Sequence, residues 1–378
     1  MSSMTFIVIR EWGGGDHMLI AVDQSAHLTN ALQAKRQTDY FCPGCMAPVT
    51  LKRGTVTIAH FAHCPGRACT TFSEGETAEH LLGKRQLATW FENSGYQVQL
   101  EAPLAQLHQR PDILVQAPHQ APLAIEFQCS PLSNQRLWER TAGYRQHGYR
   151  VLWLLGRPYH KGVRTHGKAL KFLQNSSNWG YFVLLWDVQT NTGTLNYHLM
   201  SLDCEPLMHQ VLRLDPTQVT VNQVLAMQPP LRAVSTIAYH FQHYQRNLLM
   251  GRLRQQGYQR DLQNFCYQHG GTLQQLPDWV VPMVAKPPLL SVPYLVWYLH
   301  LFITLRAQSE WIADAQLHDL CWQTLRPLLA RNACVRHRGT VNTTLITDVI
   351  NELTAQQVLV ATATGWQLNL AQLRWKKR

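Results

Sequence analysis

The chain has 378 residues, 46% of them hydrophobic and only 15% charged, against roughly 25% charged in an average globular protein. These values allow a large core, exclude a small scaffold held together by its nine Cys residues, and make every acid in an apolar segment informative. The net charge is +11, with 14 Lys and Arg against 7 Asp and Glu from residue 241 onward, which favours a polyanion such as nucleic acid, although a solvated basic face without a partner is the alternative.

The first predicted domain, residues 1–72, is a β-rich module that ends in a Cys/His cluster. A CxxC pair on a Pro-Gly turn lets two thiolates face one tetrahedral ion, and two His residues follow in the next predicted strand. The predicted ligands of this structural zinc site are Cys42, Cys45, His60 and His63. Because a strand alternates its faces, Cys64 or Cys69 could replace one His. A site that has lost its ion and a redox CxxC pair are the alternatives.

The second predicted domain, residues 73–200, alternates helices and strands and predicts a mixed α/β sheet with helices packed on it. Its expected elements are a helix at 76–93, strands at 97–100, 113–116 and 123–129, a helix at 134–147, a strand at 150–155, a helical stretch at 165–173 and a strand at 181–187. Glu76, Glu79, His80 and Lys84 share one stripe of the first helix. We expect Glu79 to lend an acid to a metal, and His80 and Lys84 to bind a phosphate.

Two acids stand where the predicted strands should be apolar. Asp112 precedes the strand at 113–116, and Glu126 lies within the next strand, on the same face as Gln128. Burial of these carboxylates without a partner would be costly. Two carboxylates from neighbouring strands make a hard oxygen site suited to Mg²⁺, an ion that polarises a phosphodiester and activates water for attack. The acids therefore predict a catalytic metal site.

The helix at 134–147 gives the acids a second interpretation. Arg136, Arg140 and Tyr144 recur at four-residue intervals, a stripe that could follow a nucleic-acid backbone. In the alternative, Glu126 pairs with Arg140 in a salt bridge and Asp112 only caps a turn after Pro111, so that neither carboxylate needs a metal.

In this order the features resemble the PD-(D/E)xK nuclease superfamily and, more closely, the competence protein CoiA family. The motifs that carry the resemblance are Cys42-Pro-Gly-Cys45, His60-Phe-Ala-His63, Glu76-Thr-Ala-Glu79-His80, Lys84, Arg110-Pro-Asp112, Ile125-Glu-Phe-Gln-Cys-Ser130, Glu139-Arg-Thr-x-x-Tyr144 and Trp153-x-x-Gly156. The resemblance covers about residues 5–200. It implies a restriction-endonuclease-like nuclease core behind a zinc-knuckle-like module.

The resemblance also implies a cytoplasmic protein that acts on incoming single-stranded or branched DNA in natural transformation, with the recombinase RecA as a candidate partner. It implies Asp112 and Glu126 as ligands of Mg²⁺ or Mn²⁺, Glu79 as an accessory acid, and Gln128 with Lys84 as groups that orient water and phosphate. Gln128 stands where the superfamily has Lys, and a neutral amide cannot stabilise developing charge as an ammonium does. A nuclease, an inert adaptor that helps to load recombinase, and a nuclease of defence or repair all fit this sequence.

The third predicted domain, residues 201–378, is mostly helical. The uncharged stretch 287–305 leaves about 13 residues of helix behind its prolines, short of the roughly 20 that a bilayer needs. It predicts a buried core helix capped by Ser291, with Pro293 in the first turn, and no contact with a membrane. At the C-terminus a helix followed by two strands resembles a winged helix, a unit that binds DNA in some proteins and protein partners in others. No secretory cleavage site precedes the first domain, which agrees with a cytoplasmic protein.

Overall fold

The computed structural model describes residues 17–54, 58–64, 77–107, 109–163, 167–232, 238–254 and 257–377. The chain divides into two compact units, Met1–Tyr197 with Val211–Pro229, and His198–Gln210 with Pro230–Arg378. The first unit contains both the Cys/His module and the α/β domain. It also takes residues 211–229, which the sequence alone assigns to the C-terminal domain.

Six short strands of the Cys/His module form an antiparallel sheet in the order β1-β6-β5-β4-β2-β3. They are β1 (His17–Met18), β2 (Ile20–Asp23), β3 (Leu28–Asn30), β4 (Tyr40–Phe41), β5 (Pro48–Lys52) and β6 (His60–His63). Tyr40, Val49 and Phe61 from three adjacent strands meet in a small core. The turn between β4 and β5 carries both cysteines of the CxxC pair, so this hairpin fixes their position.

The α/β domain is built on a mixed sheet in the order β14-β13-β12-β10-β9-β8-β7, with β11 paired to β12. Strands β9, β10 and β12 run parallel, while β7, β8 and β9 pair antiparallel. Its elements are α1 (Ala78–Asn93), β7 (Gln97–Leu100), β8 (Ile113–Gln116), β9 (Leu123–Gln128), α2 (Asn134–Gln146), β10 (Arg150–Leu155), β11 (Gln174–Ser176), β12 (Gly180–Asp187), β13 (Thr192–Met200), β14 (Met208–Leu214) and α3 (Val221–Ala226).

Helices α1 and α2 cover opposite faces of the central strand β9. The core on the α1 side contains Ile125 and Phe127 together with apolar residues of α1. A Cβ on Gly83 would lie 2.0 Å from the Phe127 ring, so only glycine allows α1 to approach this closely. Side chains alternate along a strand, and Glu126 therefore faces α2, where Tyr144 is buried. Ile125 and Phe127 of β9 thus pack against α1, and Glu126 contacts α2 on the other side of the sheet.

The mixed α/β class and the β-rich N-terminal module that the sequence predicts are confirmed. Three predicted strands, β7, β8 and β10, have the predicted bounds, and β9 ends one residue early. Helix α1 begins at Ala78 behind the cap Thr77, whereas Glu76 lies outside the described residues. Within the described part of the expected helical stretch at 165–173, only a short 3-10 helix at Leu170–Phe172 is present, directly before a strand.

The C-terminal unit is mostly helical, as predicted. Its elements are α4 (Ala238–Leu253), α5 (Gly257–Gln268), α6 (Tyr294–Arg306), β15 (Trp311–Ala313), α7 (Asp314–Leu325), α8 (Arg338–Ala355), β16 (Leu359–Ala361) and β17 (Gly365–Leu368). Pro293 directly precedes α6, and the carboxylate of Asp203 accepts from the N–H groups of Tyr294 and Leu295 at 2.9 and 2.7 Å. The expected Ser291 cap is therefore wrong, since a remote acid fulfils that role. Within the described ranges, no helix has both the length and the apolar composition to cross a bilayer.

The last elements of this unit combine three helices with a three-stranded antiparallel sheet. From α6 onward the order is helix, strand, helix, helix, strand, strand. The first strand, β15, pairs with the last, β17, which also pairs with β16. This topology supports the winged-helix resemblance. It adds α7, β15 and the pairing of β15 with β17 to what the sequence indicates.

Candidate active site and metal centre

Asp112 lies at the start of β8, where α1 and β9 both reach its carboxylate. Oδ2 accepts from the N–H of Phe127 at 2.8 Å and lies 3.1 Å from Nε2 of His80. Oδ1 lies 3.9 Å from the ammonium of Lys84. Burial by itself would raise the pKa of Asp112, but His80, Lys84 and Arg140 lower it below its ordinary value. Asp112 is therefore a carboxylate at neutral pH.

Glu126 lies in the middle of β9 and is 3% exposed. Nη2 of Arg140 donates to both of its carboxylate oxygens at 2.6 Å, and the hydroxyl of Tyr144 donates to Oε1 at 2.5 Å. Burial and the charge of Asp112 raise the pKa of Glu126 to about 7, against the attraction of Arg140. The salt bridge that the sequence offers as an alternative to a metal is therefore present, and it holds a carboxylate that ionises with difficulty.

The two acids are neighbours across the antiparallel strands β8 and β9. The ladder between these strands ends at the pair Ile113 and Ile125, directly next to Asp112 and Glu126 in the sequence. The two acids are close enough for the charge of Asp112 to raise the pKa of Glu126. The carboxylate of Asp112 is held mainly from α1, and that of Glu126 entirely by contacts from α2. Each acid thus has its own set of donors.

A buried ion pair behind Asp112 is a feature that sequence reasoning missed. Lys84 is fully buried, and its ammonium lies 2.5 Å from Oε1 of Glu101. Although burial opposes ionisation, the charges of Lys84 and Arg110 lower the pKa of Glu101. Glu101 also accepts from the main-chain N–H of Leu19 and Ile20, which joins the N-terminal sheet to the α/β sheet. An acid directly after a strand, in a chain with few charges, was the only sequence signal for it.

This geometry corrects the expected role of Lys84. A fully buried ammonium engaged by Glu101 and near Asp112 cannot contact a DNA phosphate in this conformation. Lys84 acts on the acid pair through its charge. His80 likewise contacts Asp112, so its imidazole is committed to that carboxylate.

Glu79 and Gln128 lie near the acids but contact other groups. Oε1 of Glu79 accepts from the N–H of Arg157 at 2.7 Å. A Cβ on Gly156 would lie 2.7 Å from the same oxygen, so the glycine leaves room for this contact. Nε2 of Gln128 donates to the carbonyl and the hydroxyl of Ser130 at 2.9 and 3.0 Å. Neither contact joins these side chains to the acid pair.

A small cleft opens beside Asp112 and exposes part of this acid to solvent, whereas Glu126 does not line it. Its walls come from Thr77, His80, Asp112, Phe127, Gln128, Cys129 and Ser130. Of the predicted DNA-binding stripe on α2, Arg136 is exposed, whereas Tyr144 is buried and Arg140 points to Glu126. The stripe is therefore corrected: two of its three members belong to the acid site, because they lie on the face of α2 that packs on the sheet.

The donor set suits a divalent cation, but the site already holds its own cations. Carboxylate oxygens are the ligands that Mg²⁺ prefers, and the pKa of Glu126 is raised mainly by burial, in spite of the contact with Arg140. Three carboxylates, Glu101, Asp112 and Glu126, are matched by Lys84, Arg110 and Arg140. A metal ion bound by Asp112 and Glu126 would therefore have to replace Arg140 at Glu126.

The Cys/His module brings three metal-ligating side chains together. The ligand atoms of Cys42, Cys45 and His63 all lie within 4.8 Å of one another, the only such group in the part of the chain that the structure describes. Sγ of Cys45 is 3.3 Å from Nε2 of His63. Zinc bonds of about 2.3 Å to sulfur and 2.0–2.1 Å to nitrogen place tetrahedral ligands roughly 3.5 Å apart. The three residues therefore fit a zinc ion.

His60 does not belong to this group, which corrects the predicted ligand set. Its ring is buried, packs edge-on against His17 at 4.8 Å between centroids, and donates from Nδ1 to the carbonyl of Ile58. Residues three apart on a strand point to opposite faces, so β6 presents His63 to the cysteines and turns His60 away. Of the two cysteines named as replacements, Cys64 lies 4.0 Å from the hydroxyl of Thr50, and Cys69 lies outside the described residues.

The first unit thus combines a mixed α/β sheet that carries two neighbouring acids with a Cys/His sheet whose side chains can hold zinc. Residues 76–229 match the family model described as competence protein CoiA, nuclease-like domain, and residues 24–72 match the model of the CoiA N-terminal domain. The chain belongs to the competence protein CoiA family.

The competence protein CoiA of Bacillus subtilis (strain 168) is 33% identical to this chain over 153 residues. The aligned part is 40% of this chain and 39% of that protein's length. The similarity therefore concerns a domain-sized segment, and it leaves most of the C-terminal unit to be interpreted from its own geometry.

Proposed function

We propose that this protein acts on incoming single-stranded DNA in natural transformation and cleaves its backbone with a divalent metal ion, Mg²⁺ or Mn²⁺. The observation that supports the proposal is the electrostatic proximity of Asp112, on the wall of a polar cleft, and Glu126, buried in the next strand of an otherwise apolar sheet. A metal ion held by these acids would polarise a phosphodiester and activate water. The nuclease-like domain of the family supports the same reading.

The remaining side chains of the site have roles that follow from their contacts. His80 and Lys84 keep Asp112 ionised and oriented. Tyr144 fixes the position of Glu126 by its hydrogen bond to Oε1. Arg140 balances the charge of Glu126, and its guanidinium is the kind of group that would bind a phosphate if a metal ion took its place at Glu126. Gln128, on the wall of the cleft, presents an amide where the superfamily has an ammonium.

A cleavage assay in Mg²⁺ or Mn²⁺ on single-stranded, double-stranded and branched DNA tests this proposal. We expect cleavage by the native protein and its loss in Asp112→Ala and Glu126→Ala, with DNA binding retained. Glu139→Ala is the matched control, because Glu139 is an exposed acid on α2 and its removal changes the charge equally. Equal cleavage by the native protein and both acid variants would reject a nuclease at this site.

One observation favours a second function, that of an inert adaptor which binds DNA and helps to load a recombinase. Both oxygens of Glu126 are engaged by Arg140, and Gln128 donates to Ser130 instead of pointing to the acids. An adaptor needs the fold but not the metal. Transformation at the native frequency in a strain with the Asp112→Ala/Glu126→Ala double variant would support the adaptor and contradict the nuclease.

A further inference from the structure

Helix α8 has one face in the core of the winged helix and one face in solvent. Leu345, Ile346, Val349, Ile350 and Leu353 are buried. The C-terminal half of the helix is anchored by Glu352, which accepts from Lys286 at 2.7 Å and from the hydroxyl of Tyr298 at 2.6 Å. In the first half, the described side-chain hydrogen bonds run from Thr343 and Thr347 to carbonyls of the same helix. Helix α8 is the second of the two consecutive helices of this fold.

The exposed face of α8 carries an unusual choice of residues for a solvated helix. Its exposed polar, uncharged side chains are Thr340, Thr343, Thr344, Thr347 and Asn351. Threonine and asparagine are weaker helix formers than the Glu, Lys or Gln that would keep the face soluble. This local cost is expected where a face has a function beyond solubility. Threonine offers a hydroxyl and a methyl group, which contact base edges and the thymine methyl group in the DNA major groove.

The segment before α8 and the first half of the helix carry charge of one sign. From residue 320 to residue 347 the sequence contains four Arg and neither Asp nor Glu. Arg331 in the connection before α8 and Arg338 in its first turn are both exposed. The first acid, Asp348, comes only in the third turn of the helix. The N-terminal half of α8 therefore combines neutral hydrogen-bonding groups with a positive border.

We propose that the winged-helix unit binds double-stranded DNA, with the first half of α8 in the major groove and Arg331 and Arg338 on the flanking phosphates. An α-helix fits the major groove, and helices of this kind contact bases with their N-terminal residues. The positive border excludes a basic partner. The absence of acids over 320–347 favours a phosphate backbone, and the helix shape favours a duplex over a single strand. This site is separate in sequence from the acid pair and does not depend on cleavage.

Thr344→Glu is the most discriminating variant. It introduces a negative charge in the middle of the exposed face, and the higher helix propensity of Glu offsets its like-charge pair with Asp348 one turn later, so the fold should be little affected. We expect affinity for a 20-base-pair duplex, measured by fluorescence anisotropy in EDTA, to fall roughly tenfold or more, with an unchanged or higher melting temperature. Ala355→Glu is the control, since it adds the same charge at the exposed far end of the same helix.

Arg331→Ala and Arg338→Ala test the phosphate contacts. Each should weaken duplex binding across unrelated sequences and lower the slope of log K against log salt by about 1. Arg260→Ala, on the exposed surface of α5 in the same unit, removes the same charge and should leave the slope unchanged. Unaltered duplex affinity in Thr344→Glu and both arginine variants would overturn the proposal, as would equal losses in the controls.

The outcome can be separated from that of the proposed nuclease. All measurements can be repeated in the Asp112→Ala/Glu126→Ala background, in which cleavage is absent but α8 is intact. Retained duplex binding that Thr344→Glu abolishes would support the winged-helix site even if no cleavage is found. Loss of single-stranded DNA binding alone in Thr344→Glu would contradict a duplex site on α8.

Discussion

Both carboxylate oxygens of Glu126 lie 2.6 Å from one nitrogen of the Arg140 guanidinium. Arg140 thus occupies the position from which a divalent cation would bind this acid. Removal of one partner from a buried ion pair costs about 3–5 kcal/mol, because the remaining charge is left without compensation. A metal ion at Glu126 would therefore have to compete with a contact that also stabilises the fold.

Arg140→Gln should lower the melting temperature in EDTA, and Mn²⁺ should restore it. With Arg140 gone, Mn²⁺ becomes the available countercharge for Glu126, and a ligand of the folded state stabilises it in proportion to its affinity. Thermal denaturation at pH 8 with increasing Mn²⁺ measures both effects. Arg136→Gln, an exposed change on the same helix, is the control. An Arg140→Gln protein that does not respond to Mn²⁺ more than the native protein would contradict competition for Glu126.

Metal affinity should rise with pH up to about 7 and then level off. The pKa of Glu126 is about 7 because of burial and of the neighbouring Asp112, so below that pH a metal must displace a proton. The raised pKa also affects stability. Between pH 4.5 and about 7 the folded state keeps the Glu126 proton that the unfolded state has lost, so the contribution of Glu126 to the free energy of unfolding falls as the pH rises through this range. Calorimetry with Mn²⁺ from pH 5.5 to 8.5 checks the first effect. Glu126→Gln should bind weakly without this pH dependence, and a flat native profile would contradict the prediction.

Gln128→Lys should increase cleavage. A lysine at this position in the cleft wall would supply the ammonium that the superfamily uses to stabilise developing negative charge, a type of contact worth about 100–1000-fold when removed from other enzymes. We expect a rise of at least about tenfold in single-turnover rate on single-stranded DNA. Gln128→Met has similar length without charge and should give no rise. If the lysine variant is no faster, the site lacks a productive position for the phosphate.

His63→Ala should lose zinc, and His60→Ala should retain it. His63 lies with Cys42 and Cys45, whereas His60 packs against His17 on the other face of β6. Metal analysis of the purified variants by mass spectrometry measures the zinc content per chain. His60→Ala should still destabilise the module, because its ring is buried. Zinc loss in His60→Ala with zinc retained in His63→Ala would show that the ligand set is reversed.

Lys84→Met should cost about 3–5 kcal/mol of stability, since it leaves Glu101 buried without its nearest cation. Lys84→Met combined with Glu101→Gln should cost less than the sum of the single changes. Chemical denaturation of the four proteins gives the coupling energy. Lys52→Met, on an exposed strand position in the same unit, serves as control. Additive losses would mean that the two residues do not act as a pair.

The sequence by itself determined the local elements and the chemistry available in them. Short apolar runs predicted β8, β9 and β10, and the scarcity of charge made Asp112 and Glu126 conspicuous at and within them. The CxxC turn and the following His63 were also local, because a hairpin with a neighbouring strand brings them together. Order and type of motif were enough to indicate the family.

Only the tertiary structure decided which groups contact the acids. Lys84 contacts Glu101, which is 17 residues further along the chain, and Arg140 and Tyr144 face Glu126. The pairing of β15 with β17 in the C-terminal unit was likewise visible only in the structure. These contacts depend on which face of a helix meets which strand. Helical spacing predicts a stripe but not its direction, since a charged stripe and a buried pair can have the same sequence period and differ only in what packs against them.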